Sequence, residues 1–330
     1  MSAITVGSAV GRRGEKVSGF IEIPRGYDPE TRIPVTVITG AHPGPTLALT
    51  AGIHGSEPSP IIALQRVRAE IDPQVMRGTL IIVHIANLPS FALRTIYRGP
   101  WDQKNLNRVF PGRADGTASD RIAHAITTQV IDQCDFLVDM HSGDGNESLR
   151  PYSYWFKLGI DSAVDERAKM LALAFGLDHI VVDGNRPTDR HASIFCSNTA
   201  HLRGKPAITT EAGSVGIPTE SAIALNVQGA LGVMRHLNMI PGHRALLERP
   251  YWIDPFEVMT SPETGTWQPT VEADETVLAG ALVGRITDYF GDVIAEVKSP
   301  MDGLVLYVVV SPAMSKGEPI CMIGRARREN

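Results

Sequence analysis

Leu47-Ala48-Leu49-Thr50-Ala51-Gly52-Ile53-His54-Gly55-Ser56-Glu57-Pro58 is an apolar run that breaks at a glycine and then delivers a histidine and a glutamate three residues apart. The alternation of Leu47, Leu49 and Ala51 suits a buried strand, Gly52 and Gly55 permit a turn, and Pro58 is placed to open a helix. Open α/β sheets collect their ligands at the carboxyl ends of strands, where such a turn lies. A neutral imidazole and a carboxylate are two thirds of the protein ligands of a catalytic zinc, so His54 and Glu57 are read as metal ligands. A His-x-x-Glu pair is common by chance, and a third ligand, a base and a substrate site have to come from elsewhere in the chain.

The third ligand is read at His141, because Phe136-Leu137-Val138-Asp139-Met140-His141 again runs as a strand into a histidine followed by small residues. Strand alternation puts Asp139 on the same side as His141, where its carboxylate can orient the imidazole. Another apolar run, Ala207-Ile208-Thr209-Thr210, closes in Glu211 ahead of Ala212 and Gly213. A carboxylate in that position suits the general base of a metal-assisted hydrolysis, which must reach an acidified water without competing for the metal. In Asn105-Leu106-Asn107-Arg108-Val109-Phe110, an amide beside a guanidinium suits a carboxylate, Arg108 binding it bidentately and Asn107 fixing its orientation. Arg98 is read as the group that polarises the scissile carbonyl, with Arg94 competing for that role. His191 and His201 are candidate pocket residues; the other histidines lack a carboxylate at suitable spacing.

The formal net charge of -5 over 330 residues leaves no basic stripe for nucleic acid. No run approaches the roughly 18 apolar residues of a membrane span, so membranes are not expected as partners either. Arg12, Arg13 and Lys16 near the N-terminus are not followed by the apolar core of a secretory signal, and a cytoplasmic protein is expected. Cys134, Cys196 and Cys321 are dispersed and odd in number, which fits buried free thiols rather than a disulfide framework.

Short β-branched runs alternate with amphipathic ones as far as about Leu237. Strands are predicted at 35–38, 46–51, 79–85, 136–140, 179–182 and 207–210, and helices at 59–71, 119–134, 162–175 and 219–237. This pattern implies a sheet covered on both faces within a catalytic domain at residues 1–245, whose first 30 or so residues form a β extension. Helical periodicity stops after Pro241, and residues 246–330 are expected to form a small all-β domain. A weak repeat runs through it: Ser261-Pro262-Glu263-Thr264-Gly265 matches Ser299-Pro300-Met301-Asp302-Gly303, which suggests two half-domains about a pseudo-two-fold axis. The second half resembles biotinyl/lipoyl-like barrel-sandwich domains. The carrier lysine has no counterpart in Asp288-Tyr289-Phe290-Gly291, so packing or contacts within a homo-oligomer are the expected role.

Taken in order, His54-Gly55-Ser56-Glu57, Asn107-Arg108-Val109-Phe110-Pro111, Asp139-Met140-His141 and Thr210-Glu211-Ala212-Gly213 resemble the succinylglutamate desuccinylase/aspartoacylase family of zinc carboxypeptidase-like hydrolases. The resemblance implies a three-layer α/β/α domain with a mixed, mostly parallel sheet, and a C-terminal β-domain that crowds the mouth of the site. It implies one zinc ion per chain on His54, Glu57 and His141, Glu211 as general base, and Asn107 and Arg108 on a substrate carboxylate. The reaction implied is hydrolysis of the amide bond of a small N-acyl amino acid. Two features depart from the family: Asn105 stands where many relatives have Asp, and the polar run Asp144 to Arg150 matches neither namesake enzyme. The acidic residues Asp144 and Glu147 in that run fit a deacetylase of a small diamino acid. A metallocarboxypeptidase or an esterase could use the same groups. A non-catalytic binding protein is the remaining alternative, against which the full ligand set and Glu211 argue.

Overall fold

The computed structural model describes residues 3–243 and 245–328. Its largest sheet is thirteen-stranded, and its centre is built from the predicted apolar runs. From the outer edge inward, Glu15–Ile23 pairs with Thr31–Thr39, which pairs with Arg77–Val83, both antiparallel. His42–Ala51 then lies parallel to Arg77–Val83 on one side and to Phe136–His141 on the other, and Ala207–Glu211 continues in the same direction. Tyr152–Phe156 follows, antiparallel to Ala207–Glu211, and His179–Asp183 lies parallel to it. Parallel pairing thus predominates in the α/β part, as expected. Strand Tyr152–Phe156 was not expected, because Tyr152, Tyr154 and Phe156 alternate with Ser153 and Trp155 too briefly to stand out.

Each central strand is apolar on both faces, and the two faces go to different cores. Leu47, Leu49 and Ala51 pack with Leu80 and Ile82 against helices Pro58–Glu70, Ser162–Phe175 and Glu220–His236. Ala48, Ile81 and Val83 point the other way, toward Ala118–Gln129 and Cys196–His201. The three layers follow from that alternation. The helices start close to where their signals predict: Asp161 caps Ser162–Phe175 by accepting from Ala163 and Val164, and Thr219 caps Glu220–His236 by accepting from Ala222. All three cysteines are free and buried. No helix among the described residues is long and apolar enough to cross a membrane.

Hydrogen bonding does not stop where the sequence pattern changes. Tyr251–Thr260 pairs in parallel with His179–Asp183 and antiparallel with Pro319–Arg328, which pairs with Gly303–Val309. A four-stranded sheet ordered Val293–Lys298, Leu282–Thr287, Gly265–Pro269 and Ala313–Met314 completes the C-terminal part. The repeat is visible as two reciprocal contacts: Gly317 donates to the Ser261 carbonyl at 2.8 Å, and Gly280 donates to the Ser299 carbonyl at 2.8 Å. Both serine hydroxyls turn onto the carbonyl two residues on, Glu263 and Met301. Trp267, 1% exposed, fills the space between the halves and donates to the Val309 carbonyl. The short strand Glu147–Leu149 pairs with Gly303–Val309, so the polar run after His141 is tied to the C-terminal part.

His84 follows strand Arg77–Val83 and hydrogen-bonds Thr36 Oγ1 at 2.8 Å; burial, followed by the charge of Arg68, pushes its pKa down to about 4 from 6.5. Between those values the unfolded chain binds more protons than the folded one, so stability from the neutral imidazole is full above 6.5 and is lost as pH falls to about 4. The shift corresponds to something on the order of 3 kcal/mol. His84→Gln is expected to lose less stability than the parent between about pH 7 and about pH 4.5, read as urea midpoints; parallel curves would refute this assignment.

Candidate functional site

The turn after His42–Ala51 is set by backbone constraints. Gly52 adopts φ +68°, and its carbonyl accepts from Asn87, which pins the turn to the segment after Arg77–Val83. Gly55 lies so close to the short helix Leu88–Leu93 that a Cβ there would stand 2.1 Å from the Phe91 nitrogen. Glu57 is the N-cap of Pro58–Glu70, yet its side chain caps nothing in that helix. The carboxylate turns into the site instead, still within reach of the positive end of the helix dipole.

There it meets both histidines. His54 Nδ1 is 2.7 Å from Glu57 Oε1, and His141 Nδ1 is 2.9 Å from Glu57 Oε2. The candidate ligand atoms of the three residues all lie within 4.8 Å of one another, and Glu57 and His141 are each 2% exposed. The far nitrogens are held from outside: His54 Nε2 lies 3.1 Å from Asn105 Oδ1, and His141 Nε2 lies 3.1 Å from Asp139 Oδ2. Asp139 is fully buried, and its other oxygen accepts from Thr50 Oγ1 at 2.6 Å. An acceptor at each Nε2 favours the tautomer that carries its proton there, leaving both Nδ1 lone pairs aimed at the carboxylate.

Three acceptors facing one point repel one another unless a cation sits among them. Without one, protons take its place. Burial opposes charging either imidazole, but Glu57 outweighs it at His54, and Glu57 with Asp139 outweighs it at His141, so both pKa values are raised. Burial likewise works to raise the Glu57 pKa, and His141 followed by His54 more than offsets it, holding the carboxylate below its usual range. Glu57 Oε2 has no hydrogen-bond donor of suitable geometry despite its burial. This donor set fits a divalent cation of the zinc type.

The cluster lies in the wall of a cavity of about 650 Å³. Glu211 enters it from the end of Ala207–Glu211, its side chain making no hydrogen bond or ion pair among the described residues. Burial, despite the opposing pull of His141, raises its pKa well above the usual carboxylate range. Asn107 and Arg108 line it from a short 3-10 turn, Leu106–Arg108. Asn107 Oδ1 accepts from the Cys196 nitrogen at 2.9 Å, and Asn107 Nδ2 stands 3.5 Å from His141 Nε2. Arg108 is open to the cavity but enclosed by its walls, where it donates to the Asn107 carbonyl and stacks on Phe195 with Cζ 4.7 Å from the ring centre. Arg98 sits at the rim with 55% of its side chain exposed and Nη2 4.0 Å from Glu318. Arg94 is exposed, adopts a left-handed backbone at the end of Leu88–Leu93, and does not line the cavity. His191 and His201 do not line it either; His201 is buried against Asp165 at 2.8 Å.

Several lining residues carry no signal in the sequence. Tyr97, at φ +56°, places its hydroxyl 2.8 Å from both Glu147 Oε1 and Asn146 Oδ1. Burial is the main cause of a Glu147 pKa pushed up to about 7. Arg186, Tyr154 and Phe195 also line the cavity, as do Val258, Tyr307, Glu318 and Pro319 of the C-terminal part. These residues lie far apart in the chain, so only the fold brings them together.

Known proteins resemble this chain in sequence and in fold. Residues 43–237 match the succinylglutamate desuccinylase/aspartoacylase catalytic domain. An N-alpha-acetyl-L-2,4-diaminobutyric acid deacetylase of Halomonas elongata is 28% identical over 92% of this chain and 90% of its own. The product-bound ectoine utilization protein EutE (DoeB) of Ruegeria pomeroyi superposes with a TM-score of 0.83 at 27% identity, covering 95% of this chain and 96% of that one. A succinylglutamate desuccinylase of Silicibacter sp. TM1040 gives 0.82 at 26% identity, covering 94% and 95%. With more than half its length matching that catalytic domain, the chain belongs to the succinylglutamate desuccinylase/aspartoacylase family.

Proposed function

We propose that this chain is a zinc-dependent, cytoplasmic deacylase that hydrolyses the amide bond of small N-acyl amino acids. Residues 1–245 would carry the chemistry and residues 246–330 would wall the cavity. The convergence of His54 Nδ1, the Glu57 carboxylate and His141 Nδ1 on one point, inside a cavity that also holds Glu211 and Arg108, carries the reading. The three would hold one zinc ion, which supplies the acidification of water toward a pKa of about 7. Asp139 and Asn105 orient the two imidazoles. Arg108 and Asn107 bind the substrate carboxylate, which sets the acyl carbonyl toward the ligand cluster. Arg98 polarises that carbonyl from the rim. Glu211 takes the proton from water on its carboxylate and returns it to the departing amine nitrogen. A neighbourhood that raises the Glu211 pKa strengthens its hold on that proton.

Walling of the cavity by Val258, Tyr307, Glu318 and Pro319 of the C-terminal part favours a small N-acyl amino acid over a peptide, and so a deacylase over a carboxypeptidase. Nα-acetylated diamino acids are the substrates to try first. A relative over most of the chain bears that activity in its name, and Glu147 lines the cavity with no cation paired to it among the described residues. Asp144 does not share in this, contrary to the sequence expectation. It is fully buried, and its oxygens are taken by the Tyr97 and Gly145 nitrogens.

Elemental analysis is expected to find about one zinc per chain, lost in His54→Ala; protein that neither carries nor takes up zinc would refute the mechanism. Asp139→Asn should weaken zinc binding about 10- to 100-fold in a chelator competition while the fold is kept. Glu211→Gln should keep its metal and slow amine release by about 10²- to 10⁴-fold; undiminished release would remove Glu211 from the chemistry.

A further inference from the structure

Among the cations of the cavity, Lys104 is taken up by Asp120 at 2.7 Å and Arg98 lies at the rim near Glu318, but Arg108 has no carboxylate partner among the described residues. Arg186 stands beside it. Arg186 comes from the turn after His179–Asp183, and its Nε is bound by Asp183, whose other oxygen accepts from the Asn185 nitrogen at 3.0 Å. The guanidinium is stacked among Phe195 at 4.0 Å, Phe156 at 5.1 Å and Tyr154 at 5.2 Å, with 13% of the side chain exposed. The ion pair uses Nε alone, so both Nη groups keep their hydrogens for another acceptor.

Arg108 and Arg186 share the Phe195 ring, so their guanidinium carbons stand no further apart than the two stacking distances combined. Two fixed like charges that close in an enclosed cavity repel, and burial with the charge of Arg186 already lowers the Arg108 pKa. Arg108 is tied to the Asn107 carbonyl and Arg186 to Asp183. A carboxylate that accepts from N–H groups of both at about 2.8 Å would remove that repulsion.

We propose that Arg186 is a second binding residue for the carboxylate of the substrate, acting with Arg108 as a two-guanidinium clamp that selects acylated amino acids over acylated amines. Asp183 is the positioning residue that presents it. The proposal rests on the deacylase reading. In metal-loaded protein, turnover of Nα-acetyl-2,4-diaminobutyrate is compared with that of N-acetyl-1,3-diaminopropane, which lacks only the carboxylate. Arg186→Met is expected to raise KM for the acid about 10- to 100-fold with kcat within a few-fold, and to leave the decarboxylated compound unchanged. Arg186→Lys should recover part of the loss, because it restores charge without the fork. Equal losses on both compounds, or no loss on the acid, would overturn the assignment. If the parent protein hydrolyses neither compound, the deacylase reading fails, and calorimetric binding of Nα-acetyl-2,4-diaminobutyrate decides the clamp alone. Binding weakened by Arg186→Met supports it; absent binding, or binding that the substitution leaves unchanged, overturns it.

Discussion

Two imidazole nitrogens and a carboxylate aimed at one buried point are unstable company unless something positive lies between them, and much of the architecture serves to hold them there. His54 and His141 are 87 residues apart in the chain. They meet because His42–Ala51 and Phe136–His141 pair in parallel with Ala51 opposite Met140, so that both strands end at the same level. Ala207–Glu211 brings in Glu211 by the same route, directly opposite His141. The loops beyond are joined as well: Ala212 donates to the His141 carbonyl, and Gly143 donates to the Gly213 carbonyl. Parallel neighbours that end in register make a site from residues with no proximity in sequence.

The C-terminal part acts on the same cavity by a different kind of contact. Leu149, Tyr152 and Val181 form one buried apolar cluster with Ile253, Leu306, Tyr307 and Met322, and the pairing of Glu147–Leu149 with Gly303–Val309 adds backbone hydrogen bonds. Apolar burial and strand pairing together make this a fixed wall rather than a loosely tethered module. Glu147 sits on that short strand, opposite Val309, so the wall also fixes a cavity carboxylate. The polar run from Asp144 to Arg150, which departs from the family pattern, is therefore the seam between the two parts.

What could be read from the sequence and what could not divide along a physical line. The cavity positions of His54, His141 and Glu211 were legible because His141 and Glu211 each close an apolar strand and His54 stands in the turn just beyond one, places where a polar side chain needs a reason. The three-layer architecture was legible because both faces of those strands are apolar. Asn105 was read only as a departure from the family, yet its side-chain oxygen meets both His54 Nε2 and the Asn107 nitrogen, a task that an amide oxygen and a carboxylate can share. Arg94 and Arg98 could not be separated by spacing. The left-handed turn at Arg94 sends one into solvent, and the bridge between Arg98 and Asn105 brings the other to the rim. Tyr152–Phe156 and Arg186 were invisible because their meaning depends on which strand inserts beside Ala207–Glu211.

That insertion also explains the shape of the cavity. Tyr152–Phe156 runs against Ala207–Glu211, with Tyr152 opposite Glu211 and Tyr154 opposite Thr209, and all four residues line the cavity. The cavity therefore extends from the strand ends along the face of the sheet instead of sitting at its edge. Because His179–Asp183 lies parallel to the reversed strand, its carboxyl end is level with Phe156, well away from Glu211. Arg186 leaves from that far end and reaches back over Phe156 and Tyr154. A run of parallel strands alone would have left the far end of the groove without a cation. Reversing one strand puts a guanidinium there, so the cavity holds the His54, Glu57 and His141 cluster and, further along, Arg108 and Arg186. That separation of charge is what the proposed substrate, a small molecule with a carboxylate and a cleavable amide, would require.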